Sequence, residues 1–182
     1  MRCPHPSHII FSAANRVIRP FSATLSTTYG GNTYPAKLSI DNNPSTYAEA
    51  AVDDTASWLL MTFSNTDIPV REVTLVLYST VTGATAETIR LVGRLMTDAV
   101  VYVVDSAENK HLCGVLQLDL SDASLEGQTY DVPCKDVLGN QIRVESSAGT
   151  IPWNNGNKTK HVIVAEATVT TPYTISGKNT ET

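Results

Sequence analysis

A strict two-residue alternation in the middle of the chain is the feature that most limits its possible folds. Val73, Leu75 and Leu77 occupy every second position of one segment, with Thr74 and Val76 between them. Successive side chains of a β-strand point to opposite faces of the sheet. The pattern therefore predicts a strand that turns one face toward a core.

Similar short runs of β-branched residues recur along the chain, bounded by Gly, Pro, Asn, Asp and Ser. Such runs predict strands joined by turns. Further strands are expected at residues 21–26, 58–63, 88–91 (a weak one), 99–104, 114–120, 128–132, 141–145 and 161–169. Helix-period patterns are nearly absent, and the connections are too short for crossover helices. The prediction is an all-β fold, an antiparallel β-sandwich or jelly roll of about eight strands.

The 182 residues are enough for one well-buried core. We expect a single β-sandwich domain at residues 21–169, preceded by a weakly structured segment, 1–20, and followed by a tail or linker, 170–182. The first segment lacks acidic residues and carries arginines, which faintly resembles a transit peptide. A truncated gene model or an excised domain is preferred to a transit peptide as the explanation of this segment. The dipeptide Gly139-Asn140 predicts a tight turn.

Charge and hydropathy exclude two classes of partner. The formal net charge is -5, and the basic residues form no cluster, which argues against nucleic-acid binding. The longest apolar stretches, such as residues 99–104, are far shorter than the roughly 20 residues that span a bilayer. We predict neither a nucleic-acid partner nor a membrane-spanning helix.

Two of the three cysteines, Cys113 and Cys134, lie beside predicted strands. A disulfide between them would stabilise the fold by roughly 3 kcal/mol by restricting the unfolded chain. We favour this bond, and with it secretion, over two buried free thiols in a cytosolic protein. Cys3 is left unpaired. Asn157 begins an Asn-Lys-Thr glycosylation sequon in a polar loop, which agrees with secretion.

Signals for catalysis are weak. The four histidines, His5, His8, His111 and His161, are each interpreted as surface residues. The sequence contains no phosphate loop, His-Glu zinc motif or nucleophile elbow. We predict that the chain is not an enzyme.

One polar loop, Asp41-Asn42-Asn43, permits two interpretations. Oxygen ligands at alternate positions of a tight loop suit calcium. Asp and Asn also stabilise turns by bonding to their own backbone, and from the residues alone an Asx turn is preferred.

The order of these segments resembles the galactose-binding-like jelly roll of the coagulation-factor/discoidin domains, and within it the fucolectin (F-type lectin) branch. The resemblance covers residues 21–169. It rests on the early loop 39–46, the tryptophan-containing strand 57–63, the strand 68–78, the cysteine-containing segment from Cys113 to 144, and the closing strand 162–169.

The resemblance implies a structural calcium ion held by Asp41, Asn43 and Glu166, with Leu38 and Ala165 as carbonyl donors. Asn42 stands where the family has glycine, which requires a positive φ that Asn tolerates better than most residues.

The resemblance also implies a sugar site built from a histidine and two arginines. Arg94 matches the second arginine, whereas Tyr78 stands near the position of the first. No histidine lies between Asp41 and Trp58. The expected ligand-binding residues are therefore Arg94 and Tyr78.

Two functions follow as expectations. The first is a non-catalytic, lectin-like, carbohydrate-binding module of an extracellular or cell-surface protein. The alternative is a structural or adhesion module that binds protein partners or neighbouring domains of a larger extracellular assembly. Loops on a rigid scaffold would carry either function.

Overall fold

The computed structural model describes residues 13–77, 85–118, 129–154 and 156–174. The strands in chain order are β1 (Ala13–Ile18), β2 (Ser22–Leu25), β3 (Ala48–Glu49), β4 (Trp58–Thr62), β5 (Ile68–Val76), β6 (Val100–Val104), β7 (Lys110–Val115), β8 (Thr129–Gly139), β9 (Gln141–Glu145), β10 (Thr150–Trp153), β11 (Gly156–Thr159), β12 (Ile163–Val164) and β13 (Glu166–Thr174). Helix α1 (Ala86–Met96) lies between β5 and β6, and 3-10 turns occur at Tyr29–Gly31 and Ala36–Ser39.

Two antiparallel sheets form the body of the molecule. One has four strands in the order β1-β13-β5-β8, and the other has five in the order β2-β4-β9-β6-β7. The short pairs β10-β11 and β3-β12 are also antiparallel. The predicted all-β antiparallel sandwich is confirmed.

The core follows from the alternation that was visible in the sequence. Val73 and Leu75 of β5 are fully buried, and so are Leu59 of β4 and Ile142 of β9. The residues between them are partly exposed. Apolar side chains on alternate positions of both sheets therefore fill the space between the sheets.

The paired strands extend beyond the expected limits 21–169 on both sides. β1 begins at Ala13 and pairs with β13, which continues to Thr174. Residues 13–18 and 170–174 show no regular alternation of apolar and polar residues, so no local pattern marked them. Their pairing joins segments that lie far apart in the chain.

The weak strand expected at residues 88–91 is wrong, because these residues belong to α1. The Thr85 hydroxyl accepts a hydrogen bond from the Thr88 amide at 3.2 Å and so caps the helix. Beyond the cap, Val92, Leu95 and Met96 are buried with helical spacing.

The Gly139-Asn140 turn carries the chain from β8 in one sheet to β9 in the other. A Cβ atom on Gly139 would lie 2.3 Å from a methyl carbon of Val103 and 2.7 Å from the carbonyl oxygen of Val104. Glycine is thus required at this position by the close packing of the neighbouring strand.

A disulfide bond joins Cys113 to Cys134. Cys113 is the extra residue of a bulge in β7, and Cys134 is buried in β8. Because β7 and β8 belong to different sheets, the bond ties the two layers of the sandwich together.

Candidate functional site

The exposed face of α1 forms one wall of an open cleft. Glu87, Arg90 and Arg94 follow one another at helical spacing and are exposed, whereas Val92 and Leu95 anchor the opposite face. The apolar residues thus fix the helix on the body of the molecule, and the charged residues remain available for contact.

The β10-β11 hairpin forms the other wall. Ile151 of β10 is buried, and the half-buried side chain of Trp153 lies two residues further along the same strand. The guanidinium carbon of Arg94 lies 5.5 Å from the centroid of the Trp153 ring, within range of a cation–π contact. Asn154 donates a hydrogen bond to the Glu87 carboxylate. These contacts join the hairpin to α1.

The resulting cleft has a volume of about 710 Å³. Its lining combines one aromatic ring with charged and amide side chains: Glu87, Arg90, Arg94, Pro152, Trp153 and Asn154. Four of the six lining side chains are charged or amide groups, so the cleft offers a polar small molecule hydrogen-bond donors and acceptors beside one aromatic ring.

The structure places one of the two predicted ligand-binding residues, Arg94 and Tyr78, in the cleft. Arg94 lines the cleft from a position on α1. Tyr78 lies outside the described residues. Sequence reasoning missed Trp153 and Asn154, which it assigned to a polar loop. The available signal was a tryptophan directly followed by asparagines, because tryptophan, which has an apolar ring and a polar N–H, is enriched at interfaces.

The early loop has the backbone and the oxygen atoms that the family resemblance implies. Asn42 has φ of 62°, so it adopts the left-handed conformation expected of the family's glycine. The Thr46 hydroxyl lies 2.7 Å from Asp41 Oδ2 and 2.8 Å from the Asn43 carbonyl oxygen. The Asn43 amide donates to Asp41 Oδ1 at 2.9 Å, which is the Asx turn. Both interpretations of this loop are therefore compatible with its geometry.

The remaining implied metal ligands lie around the start of β13. Glu166 accepts a hydrogen bond from Arg19, so a guanidinium already neutralises this carboxylate. Ala165 is buried, and its amide donates to the Val76 carbonyl at 2.8 Å. Leu38 lies in the 3-10 turn that packs against β13. Among the described residues, no three His, Cys, Asp or Glu side chains cluster as a metal site would require.

Asn157 lies on β11 and is exposed, directly opposite Pro152 of the cleft lining. The sequence had placed this sequon in a loop, whereas the structure places it in a strand of the hairpin. Its side chain remains on the surface.

His161 is buried, so its interpretation as a surface residue is wrong. Its Nδ1 lies 2.9 Å from the Thr159 carbonyl oxygen, and its Nε2 lies 3.0 Å from a Glu49 carboxylate oxygen. Each ring nitrogen therefore has an oxygen atom within hydrogen-bond distance, and these two contacts hold the ring in place. The partner Glu49 comes from a distant part of the chain, and no sequence pattern predicts this contact.

Within the described segments, no helix is long and apolar enough to cross a membrane.

No protein-family profile and no curated protein sequence matches this chain. Solved structures do match. A family 32 carbohydrate-binding module of C. perfringens NanJ, solved in complex with galactose, has 12% identity and a TM-score of 0.61, covering 86% of this chain and 99% of that one. A fucolectin from striped bass (Morone saxatilis) serum has 12% identity and a TM-score of 0.59, covering 85% and 46%.

A fucose-binding module from Streptococcus pneumoniae matches at 17% identity with a TM-score of 0.58, covering 81% of this chain and 89% of that one. At such identities the likeness concerns the fold. It confirms that this chain has the galactose-binding-like jelly roll that the sequence predicted.

Proposed function

We propose that the chain is a non-catalytic carbohydrate-binding module and that its binding site is the cleft between α1 and the β10-β11 hairpin. The observation that carries this proposal is the half-buried Trp153 ring, flanked by Arg94 and Asn154 at the edge of an open cleft. Sugars have apolar faces that pack against aromatic rings and hydroxyl groups that bond to fixed polar side chains. The carbohydrate-binding modules and lectins among the fold's neighbours support the same class of ligand.

A glycan array, followed by calorimetry on the best ligand, tests this proposal. We expect Trp153→Ala to weaken binding by about tenfold or more, since the loss of one aromatic contact is worth about 1.4 kcal/mol. Tyr173→Ala is the matched control, because Tyr173 is an exposed aromatic residue on β13 and does not line the cleft. If the wild-type chain binds no glycan, or if both variants weaken binding equally, the proposal is wrong.

Calcium is the second part of the proposal. Asp41 and Asn43, with Glu166, would hold the ion, and Leu38 and Ala165 would supply carbonyl oxygens. The positive φ of Asn42 and the cluster of oxygen atoms around the Thr46 hydroxyl support it. A bound divalent ion would supply positive charge that ties the early loop to β13, a structural role. Arg19 forms an ion pair with Glu166, and this ion pair would have to break before the carboxylate could bind calcium.

Calcium titration with a thermal-unfolding readout tests this part. We expect calcium to raise the unfolding temperature of the wild type, Asp41→Ala to abolish the rise, and Arg19→Gln to strengthen calcium binding by removing a competing cation. Asp53→Ala, at an exposed turn, is the control. An unchanged unfolding temperature of the wild type in calcium contradicts the proposal.

An extracellular or cell-surface location is proposed as well, supported by the Cys113–Cys134 disulfide and by the exposed Asn157. Expression through a eukaryotic secretory pathway, with mass spectrometry of the Asn157 peptide, tests it. We expect an oxidised cystine and a glycan that Asn157→Gln removes. Reduced thiols in the secreted protein would contradict it.

An adhesion or structural module is the second candidate function. It is favoured by two large apolar side chains on the edge strand β7, Leu112 and Val115, which are 61% and 42% exposed. A glycan array without hits, together with self-association that Leu112→Ser abolishes, would favour this function over sugar binding.

A further inference from the structure

The cleft is locally basic although the whole chain carries a net charge of -5. Two arginines, Arg90 and Arg94, and one acid, Glu87, line it. Glu87 already accepts a hydrogen bond from Asn154, which directs the carboxylate toward the hairpin. The positive charge of the two arginines therefore exceeds the negative charge available to them.

Among the described residues, Arg90 and Arg94 differ in ion pairing from three other arginines. Arg19, Arg71 and Arg143 each lie within 4.0 Å of a carboxylate oxygen: Glu166, Asp136 and Glu145 respectively. In the same part of the chain, neither Arg90 nor Arg94 has such a carboxylate neighbour. A guanidinium that lacks an internal counter-ion can accept one from a ligand at a lower desolvation cost than one that must first break an ion pair.

The geometry of the two side chains suits a shared anion. They are four residues apart on one helix, so their attachment points lie about 6 Å apart on one face. The Arg94 guanidinium carbon lies 5.5 Å from the centroid of the Trp153 ring, and a cation–π contact of this kind consumes none of the five N–H donors of the group. A planar fork of this kind matches a carboxylate or a sulfate group.

We propose that the cleft selects saccharides that carry an anionic group, a carboxylate or a sulfate, which Arg90 and Arg94 bind while Trp153 packs against the sugar ring. This inference rests on the proposed carbohydrate-binding function. Arg90 is then the residue that determines charge selectivity, and Trp153 determines binding to sugars in general.

The test is calorimetry with matched pairs of saccharides at 50 and 150 mM salt. One pair is an oligogalacturonate and its methyl ester, and the other is a sulfated oligosaccharide and its desulfated form. We expect each acidic member to bind about tenfold more tightly than its neutral partner, as one charge-assisted hydrogen bond allows, with the difference shrinking at the higher salt. A preference in one pair alone identifies which anion is bound.

Arg90→Gln should reduce the preference for the acidic member several-fold, measured as the ratio of the affinities for the acidic and the neutral member of each pair. Arg16→Gln is the control, because Arg16 is an exposed arginine of β1, outside the cleft. Equal binding of the acidic and neutral members overturns this inference and leaves the proposed function standing. An equal effect of Arg16→Gln and Arg90→Gln also overturns it, since the attraction would then be non-specific. Failure to bind any saccharide overturns both.

Discussion

The guanidinium carbon of Arg143 lies 4.4 Å from the centroid of the Trp58 ring, on the outer face of the five-stranded sheet. This contact resembles that of Arg94 and Trp153, but Arg143 also donates a hydrogen bond at 2.5 Å to Glu145, a carboxylate that it shares with Lys110. The two tryptophans of the chain thus occupy similar cationic surroundings, and only Trp153 lines the proposed sugar site.

Single-tryptophan variants should separate the two environments. Trp58→Phe leaves Trp153 as the sole tryptophan, and its fluorescence should change as a bound saccharide excludes water from the ring. Trp153→Phe leaves Trp58, whose emission should stay constant during the same titration. A response from Trp58 alone would place the ligand on the sheet face and not in the cleft.

The cap of α1 should influence stability and binding together. Thr85→Ala removes the acceptor for the Thr88 amide, and we expect a loss of about 1 kcal/mol in the free energy of unfolding. Because α1 supplies three residues of the cleft, saccharide affinity should fall as well. Urea unfolding and calorimetry measure the two effects. Thr85→Ser retains a hydroxyl, so a similar loss in that variant would rule out the capping explanation.

Removal of the disulfide should destabilise the sandwich as a whole. The double variant Cys113→Ser/Cys134→Ser should lose roughly 3 kcal/mol of unfolding free energy, because its unfolded chain is no longer restricted by a link between residues 21 positions apart. Urea denaturation should show a lower midpoint, and added reductant should have no further effect. Cys3→Ser should match the wild type. A wild-type midpoint that is insensitive to reductant would contradict this prediction.

Acid should weaken the fold partly through Asp105. Hydrogen bonds from the Asn109 side chain, from His111 and from the Asn109 and Ala107 amides lower the pKa of Asp105 from its usual 3.8 to about 2. The unfolded chain therefore binds this proton more readily than the folded chain does. The stabilisation is fully present above about pH 4 and is lost as the pH falls through 2.

Asp105→Asn removes this titration. Compared with the wild type, its unfolding temperature should decline less between pH 4 and pH 2, whereas Asp53→Asn, in an exposed turn, should follow the wild-type curve. Identical pH profiles for all three proteins would show that Asp105 is not a source of the acid sensitivity.

The strands were predictable where burial imposes a local pattern. In β5, the alternation of Val73 and Leu75 with polar neighbours is visible in the sequence because one face contacts the core. α1 was not predicted, because β-branched residues such as Thr88 and Ile89 lie in its first turns and favour a strand. Its helical spacing becomes evident only when Val92, Leu95 and Met96 are considered together. Tertiary packing of that apolar face overrides the local preference.

The candidate site was less predictable than the fold. Arg94 was expected from the family resemblance, but its contact with Trp153 depends on where the β10-β11 hairpin lies relative to α1. The two residues are distant in sequence, and their meeting depends on the packing of both elements onto the sandwich. The burial of His161 against Glu49 has the same origin. A sequence pattern describes one segment at a time and carries no information about such pairs.

The pairing of β1 with β13 places Ala13 beside Thr174. The other end of β13, its first residue, comes shortly after Ile163 in the chain. The Ile163 amide donates a hydrogen bond to the sulfur of Met96 at the end of α1. Residues 13 and 174 therefore lie together at one end of the sandwich, and α1 lies toward the opposite end. A mechanical pull on residues 13 and 174 would peel this antiparallel ladder open one hydrogen bond at a time. Under tension this pair of strands should therefore yield first, while the disulfide keeps the two layers joined.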